Sequence, residues 1–237
     1  FKYSTIGDSA HNIWRGNQIW SKIVFLILAF IVFFIILRLG ILLISRIFSP
    51  NTSPKLVDGL KDATKPLDIP GDPTLANSVP ILRSKNRDGG MEFTWTVWIN
   101  VKRIDLNNPR KMHIFHKGSD TFNNGIAFPN NAPGLYIKEG RNALVIVMNT
   151  YDTINEEIEI GNIPINKWIN IAIRQRGRVM DVFINGEVVN RHIFSDVPKQ
   201  NYGSVKVNTQ GGFPGLLSDL WYHNYALSGT EIIQIVR

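Results

Sequence analysis

The stretch from Ile23 to Ile44 limits what this chain can become more than any other. Ile23 to Leu37 reads IVFLILAFIVFFIIL, Arg38 interrupts it, and LGILLI carries it on to Ile44. A helix rising about 1.5 Å per residue carries this run roughly 33 Å, enough to cross a hydrocarbon core. A helix also satisfies its own backbone hydrogen bonds where lipid offers none. A buried helix of a soluble protein would show an apolar stripe, whereas this segment is apolar all round. A cleaved leader would have a run of roughly 7–15 residues and a small-residue cleavage site, and RLGILLISRIFSP offers neither. The reading is an uncleaved single-pass anchor.

The flanks fit a bilayer. Trp14 and Trp20 precede the run at helical spacing, as indoles do at the headgroup level, and Arg46 follows it. Arg38 lies toward the C-terminal end of the run. Its side chain can snorkel to the interface, or it can pair with an acid on a partner helix. Basic residues stand on both sides (Arg15 and Lys22 before, Arg46, Lys55 and Lys61 after), so the charge rule gives no orientation. The expected divisions are a polar leader over 1–22, a transmembrane helix over 23–45, a Pro-rich tether over 46–75 and a folded domain over 76–237. The tether carries Pro50, Pro54, Pro66, Pro70 and Pro73. A short helix is conceivable over Pro54 to Ala63, with Ser53 as its N-cap; the rest should be extended.

From Val79 the hydrophobic period falls to two. In Phe93 to Val101, Phe93, Trp95, Val97, Ile99 and Val101 share one face, and Thr94, Thr96, Trp98 and Asn100 share the other. Short strand-like runs follow at Met112–Lys117, Gly125–Phe128, Gly134–Lys138, Ala143–Asn149 and Glu156–Ile160. Others cover Trp168–Arg176, Val179–Asn185, Val188–Ile193, Ser204–Asn208 and Gly215–Tyr222. Asn185-Gly186 predicts a tight hairpin, because both residues tolerate positive φ. Ser228 and Glu231 form a capping box that opens a brief final helix. Many short strands separated by turn residues predict an all-β, antiparallel two-sheet sandwich.

Several segments carry a resemblance in their order. They are FTWTVWINV, IFHKG (Ile114 to Gly118), PGLYIKEG (Pro133 to Gly140), NKWINIAIRQRG (Asn166 to Gly177), VMDVFINGEVV (Val179 to Val189) and GFPGLLSDLWYHNYALSGTEI (Gly212 to Ile232). Together they resemble the laminin-G-like, concanavalin A-like lectin and glucanase jelly rolls. The resemblance implies one concave and one convex antiparallel sheet, and covers the region from Ala76 onward. A cysteine-free, Asn- and Ile-rich domain of this kind behind one apolar helix is also similar to membrane-associated minor capsid-type proteins of large DNA viruses.

The resemblance raises three kinds of chemistry. Glucanases of the superfamily carry a pattern like E-x-D-x-E on one strand, supplying an acid and a nucleophile about 5–5.5 Å apart. The nearest match here is Glu157-Ile158-Glu159-Ile160-Gly161, where the last acid is missing. Glu156, Glu157 and Glu159 read more simply as the charged face of an edge strand. Related domains also bind calcium and sugars at a loop rim. The oxygen-bearing candidates here are Asp120, Asn123, Asn124 and Asp152, fewer than the roughly 6–8 ligands calcium takes, and Asx residues in loops also make turns. His113 and His116 are expected on opposite faces of their strand, and the five histidines form no metal-binding pattern.

The absence of cysteine rules out disulfides, thiolate catalysis and cysteine zinc sites. The net charge of +7 is spread along the chain with no basic block, so a nucleic-acid partner is not expected. The sequence therefore reads as a non-catalytic, membrane-anchored structural or binding module. Its expected use is as a virion component linking an inner membrane to a protein shell. An anchored lectin, with calcium a possible cofactor, is the alternative, and an anchored glycosidase comes third. The expected partners are the bilayer, neighbouring capsid or membrane proteins, and in the lectin reading a glycan.

Overall fold

The computed structural model describes residues 19–49 and 51–237. The chain divides into two compact units, Phe1–Pro50 and Asn51–Arg237.

In the first unit, the helix α1 runs from Ile19 to Ile47 without a buried residue. Its 29 residues extend about 43 Å, long and apolar enough to cross a membrane. Near its C-terminal end the Ser45 hydroxyl donates to the Leu42 carbonyl, and the Ser49 hydroxyl to the Ser45 carbonyl. Arg46 adds a cation where the helix dipole favours one.

The second unit is a β-sandwich. Its strands in chain order begin with β1 (Lys55–Val57), β2 (Lys61–Asp62), β3 (Leu67–Ile69), β4 (Lys85–Arg87), β5 (Gly90–Val101) and β6 (Met112–Gly118). Then come β7 (Phe122–Asn123), β8 (Ile126–Ala127), β9 (Asn131–Ile137), β10 (Ala143–Met148) and β11 (Glu156–Gly161). The last five are β12 (Trp168–Arg176), β13 (Val179–Ile184), β14 (Glu187–Ile193), β15 (Val205–Val207) and β16 (Gly215–His223), followed by helix α2 (Gly229–Val236). The larger sheet has the order β1-β16-β5-β12-β13-β14, with β2 added beside β16 and β4 beside β5. The smaller has the order β11-β10-β9-β6-β15-β3, and β7 and β8 form a separate hairpin.

The core follows from the alternation in β5. Phe93, Trp95, Val97, Ile99 and Val101 are buried between the sheets, with Ile169, Ile171 and Ile173 beside them on β12. Trp95 stacks on Phe115 of the opposite sheet, ring centroids 5.2 Å apart, and packs on Tyr222 at 4.9 Å. The hairpin turn at Asn185-Gly186 has φ of 52° and 85°, as the dipeptide predicts. The capping box at Ser228 and Glu231 is formed as expected.

The segment expected to be a tether is part of the sandwich. Lys55 and Val57 pair with β16, and Leu67 to Ile69 pair with β15, so one short stretch contributes to both sheets. Leu56, Val57, Ala63 and Ile69 are buried in the core. No helix forms over Pro54 to Ala63. The backbone there is spent on neighbouring strands: Tyr222 N–H donates to the Pro54 carbonyl, and Ala63 N–H to the Gly215 carbonyl.

Candidate functional site

Where β5, β12 and β16 lie side by side, their outward residues form one face. Trp168 pairs with Asn100, Asn170 with Trp98, and Ala172 with Thr96 across β12 and β5. Trp98 pairs with Ser218 and Thr96 with Trp221 across β5 and β16. Directly opposed residues in a sheet stand about 4.5–5.5 Å apart and diagonal ones about 7–8 Å, so the three indoles occupy one patch. A bulge between Ser218 and Trp221 absorbs Asp219, held at φ 51°, and returns Trp221 to this outer side.

One half of the face is covered. Leu227 and Ile232 pack on Ala172 and Phe183. Beneath them Arg174 donates to Asp181 at 2.8 Å and to the Leu227 carbonyl at 3.0 Å. The Leu227 N–H donates to the Thr94 hydroxyl at 2.9 Å. Partial burial pushes the Asp181 carboxyl upward, but hydrogen bonds from Arg191 and Arg174 outweigh this and hold it below the usual range.

The other half carries Trp98, Asn100, Trp168, Ser218 and Trp221. Trp168 is exposed, and Trp98 and Trp221 are half-buried. Among these indoles the side-chain amide of Asn170, the Asn100 Oδ1 and the Thr96 Oγ1 have no hydrogen-bond partner in the protein. These atoms are buried beneath the face, where an unpaired amide costs free energy. The Lys55 ammonium lies 5.5 Å from the Trp221 ring centroid and bonds Asp219 and Asp58. Farther along the face His223 accepts from or donates to Ser53 at 2.9 Å, and burial pulls its pKa down to about 4.

The residues singled out in the sequence are placed as follows. Asp120 lies 3.1 Å from the Lys206 ammonium. Asn123 ends β7 and Asn124, at φ 50°, opens the turn to β8, both beside a cleft of about 970 Å³ whose charged lining is Arg110, Lys111 and Glu139. Asp152 sits in the turn closed by Thr150 and Thr153. Among the described residues no three acidic, histidine or cysteine side chains come together as a metal site. Trp20 is exposed on α1, which also carries Arg38 and Arg46; Trp14 lies outside the described residues.

The acidic strand β11 is an edge, with Ile158 and Ile160 inward and Glu157 and Glu159 outward. Glu159 is bound by Lys138 and Arg141, and the Lys138 bond leads in holding its carboxyl below the usual range. Partial burial raises Glu156, but bonds from His192 and Ser195 outweigh it. Glu157 lies 3.6 Å from the Lys111 ammonium. A general acid needs its carboxyl raised, and Glu156 and Glu159 are shifted the other way.

The expected separation of His113 and His116 is overturned. Ile114 and Phe115 together face one residue fewer on β9, a bulge that turns both inward. The extra residue restores His116 to the side of His113, and their rings bond at 2.7 Å.

Residues 76–233 match the concanavalin A-like lectin/glucanases superfamily, in its laminin G form. The chain belongs to this superfamily. A search of curated proteins gives no match. Among solved structures, the receptor binding domain of botulinum neurotoxin D aligns with a TM-score of 0.53 and 12% identity over 78% of this chain. The binding domain of botulinum neurotoxin DC in complex with rat synaptotagmin II aligns at 0.48 and 15% over 61%. The serotype D ligand binding domain in complex with N-acetylneuraminic acid aligns at 0.48 and 14% over 61%. The chain spans 43%, 35% and 36% of these three chains, and at 12% identity the first alignment is a likeness of fold alone. The superfamily match begins at Ala76, whereas the folded unit begins at Asn51, so β1, β2 and β3 lie outside the matched region.

The indole face went unrecognised as a site in the sequence, although its signal was present. Trp98 falls on the polar side of an otherwise regular alternation, and an outward tryptophan is the informative exception. Asn100 lies two residues along the same strand, but the Asn170 amide comes from β12, a pairing no local pattern reveals.

Proposed function

We propose that this chain is a non-catalytic binding module carried on a membrane-spanning helix, and that it takes carbohydrate on the open half of the Trp98 face. One observation carries the reading: Trp98, Trp168 and Trp221 share one patch with the Asn170 side-chain amide and the Asn100 Oδ1, which lack protein partners. Indole faces pack on the C–H faces of sugar rings, and amides pair with hydroxyls. A mostly apolar platform with a few placed polar groups is the usual composition of a ligand site. The test is a glycan array with the full chain in detergent micelles, run beside Trp98→Ala. Binding to a defined set of glycans, lost in the variant, supports the reading; a flat array for the intact chain overturns it.

A second reading concerns how the module is used, as a virion component bridging an inner membrane and a protein shell. Strand β14 supports it. This strand ends the larger sheet, and Val188, Val189 and Ile193 on it are exposed. An apolar open edge favours strand addition by a neighbouring protein. Cross-linking in the intact source particle should join β14 to a shell protein, and cross-links confined to lipid and copies of this chain would refute the bridge.

A further inference from the structure

The sandwich receives the chain from α1 at the end where β5 begins. Asn224 N–H donates to the Thr52 carbonyl at 3.0 Å, and Lys85 N–H to the Asn224 carbonyl at 2.8 Å, so Thr52 and Lys85 lie on either side of Asn224. Two turns, 87–90 and 176–179, meet at the same end. Gly177 N–H donates to the Met91 carbonyl at 3.0 Å, and a Cβ on Gly177 would lie 2.6 Å from the Gly89 carbonyl oxygen. The loop 197–203 closes this end, where Lys199 and Gln200 line a small void with Met91 and Phe93.

Arg83, Lys85, Arg87, Arg176 and Arg178 are all exposed here. Arg83 and Arg176 have no ion pair among the described residues, and Arg178 bonds the neutral carbonyls of Phe194 and Ser195. Most acids at this end are spent inside the protein. Glu92 lies 3.3 Å from Arg87, Glu156 accepts from His192 and Ser195, Asp72 accepts from Thr74, and Asp196 accepts from the Val197 N–H. Asp88 and Asp152 are exposed and have no ion pair among the described residues. Two aromatic rings stand beside the cations. Tyr202, 75% exposed, shares a cleft with Arg83, and Tyr151, 68% exposed, has the Lys199 ammonium 5.3 Å from its ring centroid. Guanidiniums pair with phosphates, and exposed tyrosines favour the headgroup level of a bilayer.

We propose that this end of the sandwich docks on anionic phospholipid headgroups of the bilayer that holds α1, an inference that rests on the reading of α1 as a membrane span. Arg83 and Arg176 bond lipid phosphates, and Tyr151 and Tyr202 enter the headgroup layer. Residues 48–51 are the whole connection between α1 and Thr52, and five peptide steps reach about 18 Å at most. Attraction to an anionic surface fades within a Debye length, about 10 Å at 0.1 M salt. So short a connection makes the docking intramolecular and lets a few scattered cations suffice. The other end of the sandwich is out of that range: Lys167, just before β12, is separated from Arg176 by about 30 Å of strand.

The experiment places the full chain in lipid nanodiscs of phosphatidylcholine with or without phosphatidylserine, each carrying a headgroup-nitroxide lipid as quencher. The chain has no cysteine, so a fluorophore on Asn86→Cys or on Lys167→Cys reports one end at a time. In phosphatidylserine discs, quenching at position 86 should exceed that at position 167 by about threefold or more. The excess should fall by at least about half in the double variant Arg83→Gln, Arg176→Gln, and likewise in ~1 M salt, where the Debye length is about 3 Å. Both arginines are exposed without ion pairs, so the double variant should keep its thermal stability, which separates lost docking from lost fold. Equal quenching at the two positions, the same excess in phosphatidylcholine alone, or an excess untouched by the double variant would each overturn the docking and leave α1 as an anchor. Discs that do not take up the chain would overturn the membrane span and the docking together.

Discussion

His113 Nε2 and His116 Nδ1 stand 2.7 Å apart, and the direction of the hydrogen bond between them is fixed by their neighbours. The backbone N–H of Thr209 points at His113 Nδ1 at 3.0 Å, so that nitrogen must accept. His113 therefore carries its proton on Nε2 and donates to His116 Nδ1. His116 in turn carries its proton on Nε2 and donates to the Ser119 carbonyl at 2.9 Å. The chain of bonds works only with both rings neutral, because a second proton on either would set N–H against N–H. It links the turn at Thr209 to the loop that holds the β7–β8 hairpin, whose Ser119 and Asn130 bond each other.

Stability should therefore fall in mild acid. Burial, followed by the His116 charge, pushes His113 well below the ordinary imidazole value, and burial pulls His116 to about 4. Unfolded histidine titrates near 6.5. A depressed histidine contributes its stability above that unfolded value and loses it as pH drops toward the folded one. His116 alone should cost roughly 3 kcal/mol between pH 6.5 and 4. Urea unfolding at steps between pH 7 and 4.5 should show a slope that shrinks in His116→Gln. Carboxylates held low, such as Asp181, lose stability at more acid pH in both proteins and cancel in the difference. An identical slope in the two proteins would refute the relay.

Asp181 should be the anchor of the C-terminal helix. It binds Arg174, and both side chains are nearly inaccessible, at 4% and 8%. Arg174 also lies 4.7 Å from the Phe183 ring centroid and bonds the Leu227 carbonyl, so losing its acid leaves a buried cation under α2. Asp181→Ala should cost about 3–5 kcal/mol. Hydrogen exchange should show the segment from Leu227 to Ile232, where α2 begins, opening first.

Arg38 should be tolerated in the membrane by reaching the interface, since it lies nine residues from the end of α1 at Ile47. Arg38→Leu should leave membrane insertion and partner recovery unchanged in a co-purification. Loss of a specific partner would show instead that Arg38 pairs with an acid on a neighbouring helix.

Much of this molecule is legible in its sequence, and the illegible parts share a cause. Trp168–Arg176 was expected as a strand with the bounds it has, because nine alternating residues give a clear period. The Asn185-Gly186 turn and the Ser228 capping box are local chemistry, readable within four residues. Strands β1, β2 and β3 are two or three residues long and lie among prolines, too short to carry any period. The His113–His116 pair was hidden by a bulge whose existence depends on β9, far along the chain. The sites depend on cross-strand register, and register is decided by partners rather than by neighbours.

The placement of residues 51–75 gives the strongest test of the fold. Leu56, Val57 and Ile69 are buried, and each such side chain contributes about 1.5–3 kcal/mol. Together they rival the whole stability of an ordinary domain, about 5–15 kcal/mol. A fragment of residues 51–237 should fold cooperatively, whereas residues 76–237, the portion nearest the superfamily match, should not. Gly212 reports on the same junction without truncation. It sits at φ 55°, and a Cβ there would clash with the Ala63 carbonyl oxygen, a backbone atom that cannot swing away. Gly212→Ala should destabilise by about 3 kcal/mol or more through strain and loss of that contact. A stable, cooperatively unfolding 76–237 fragment would restore the tether and show that β1 to β3 are accessories to the sandwich.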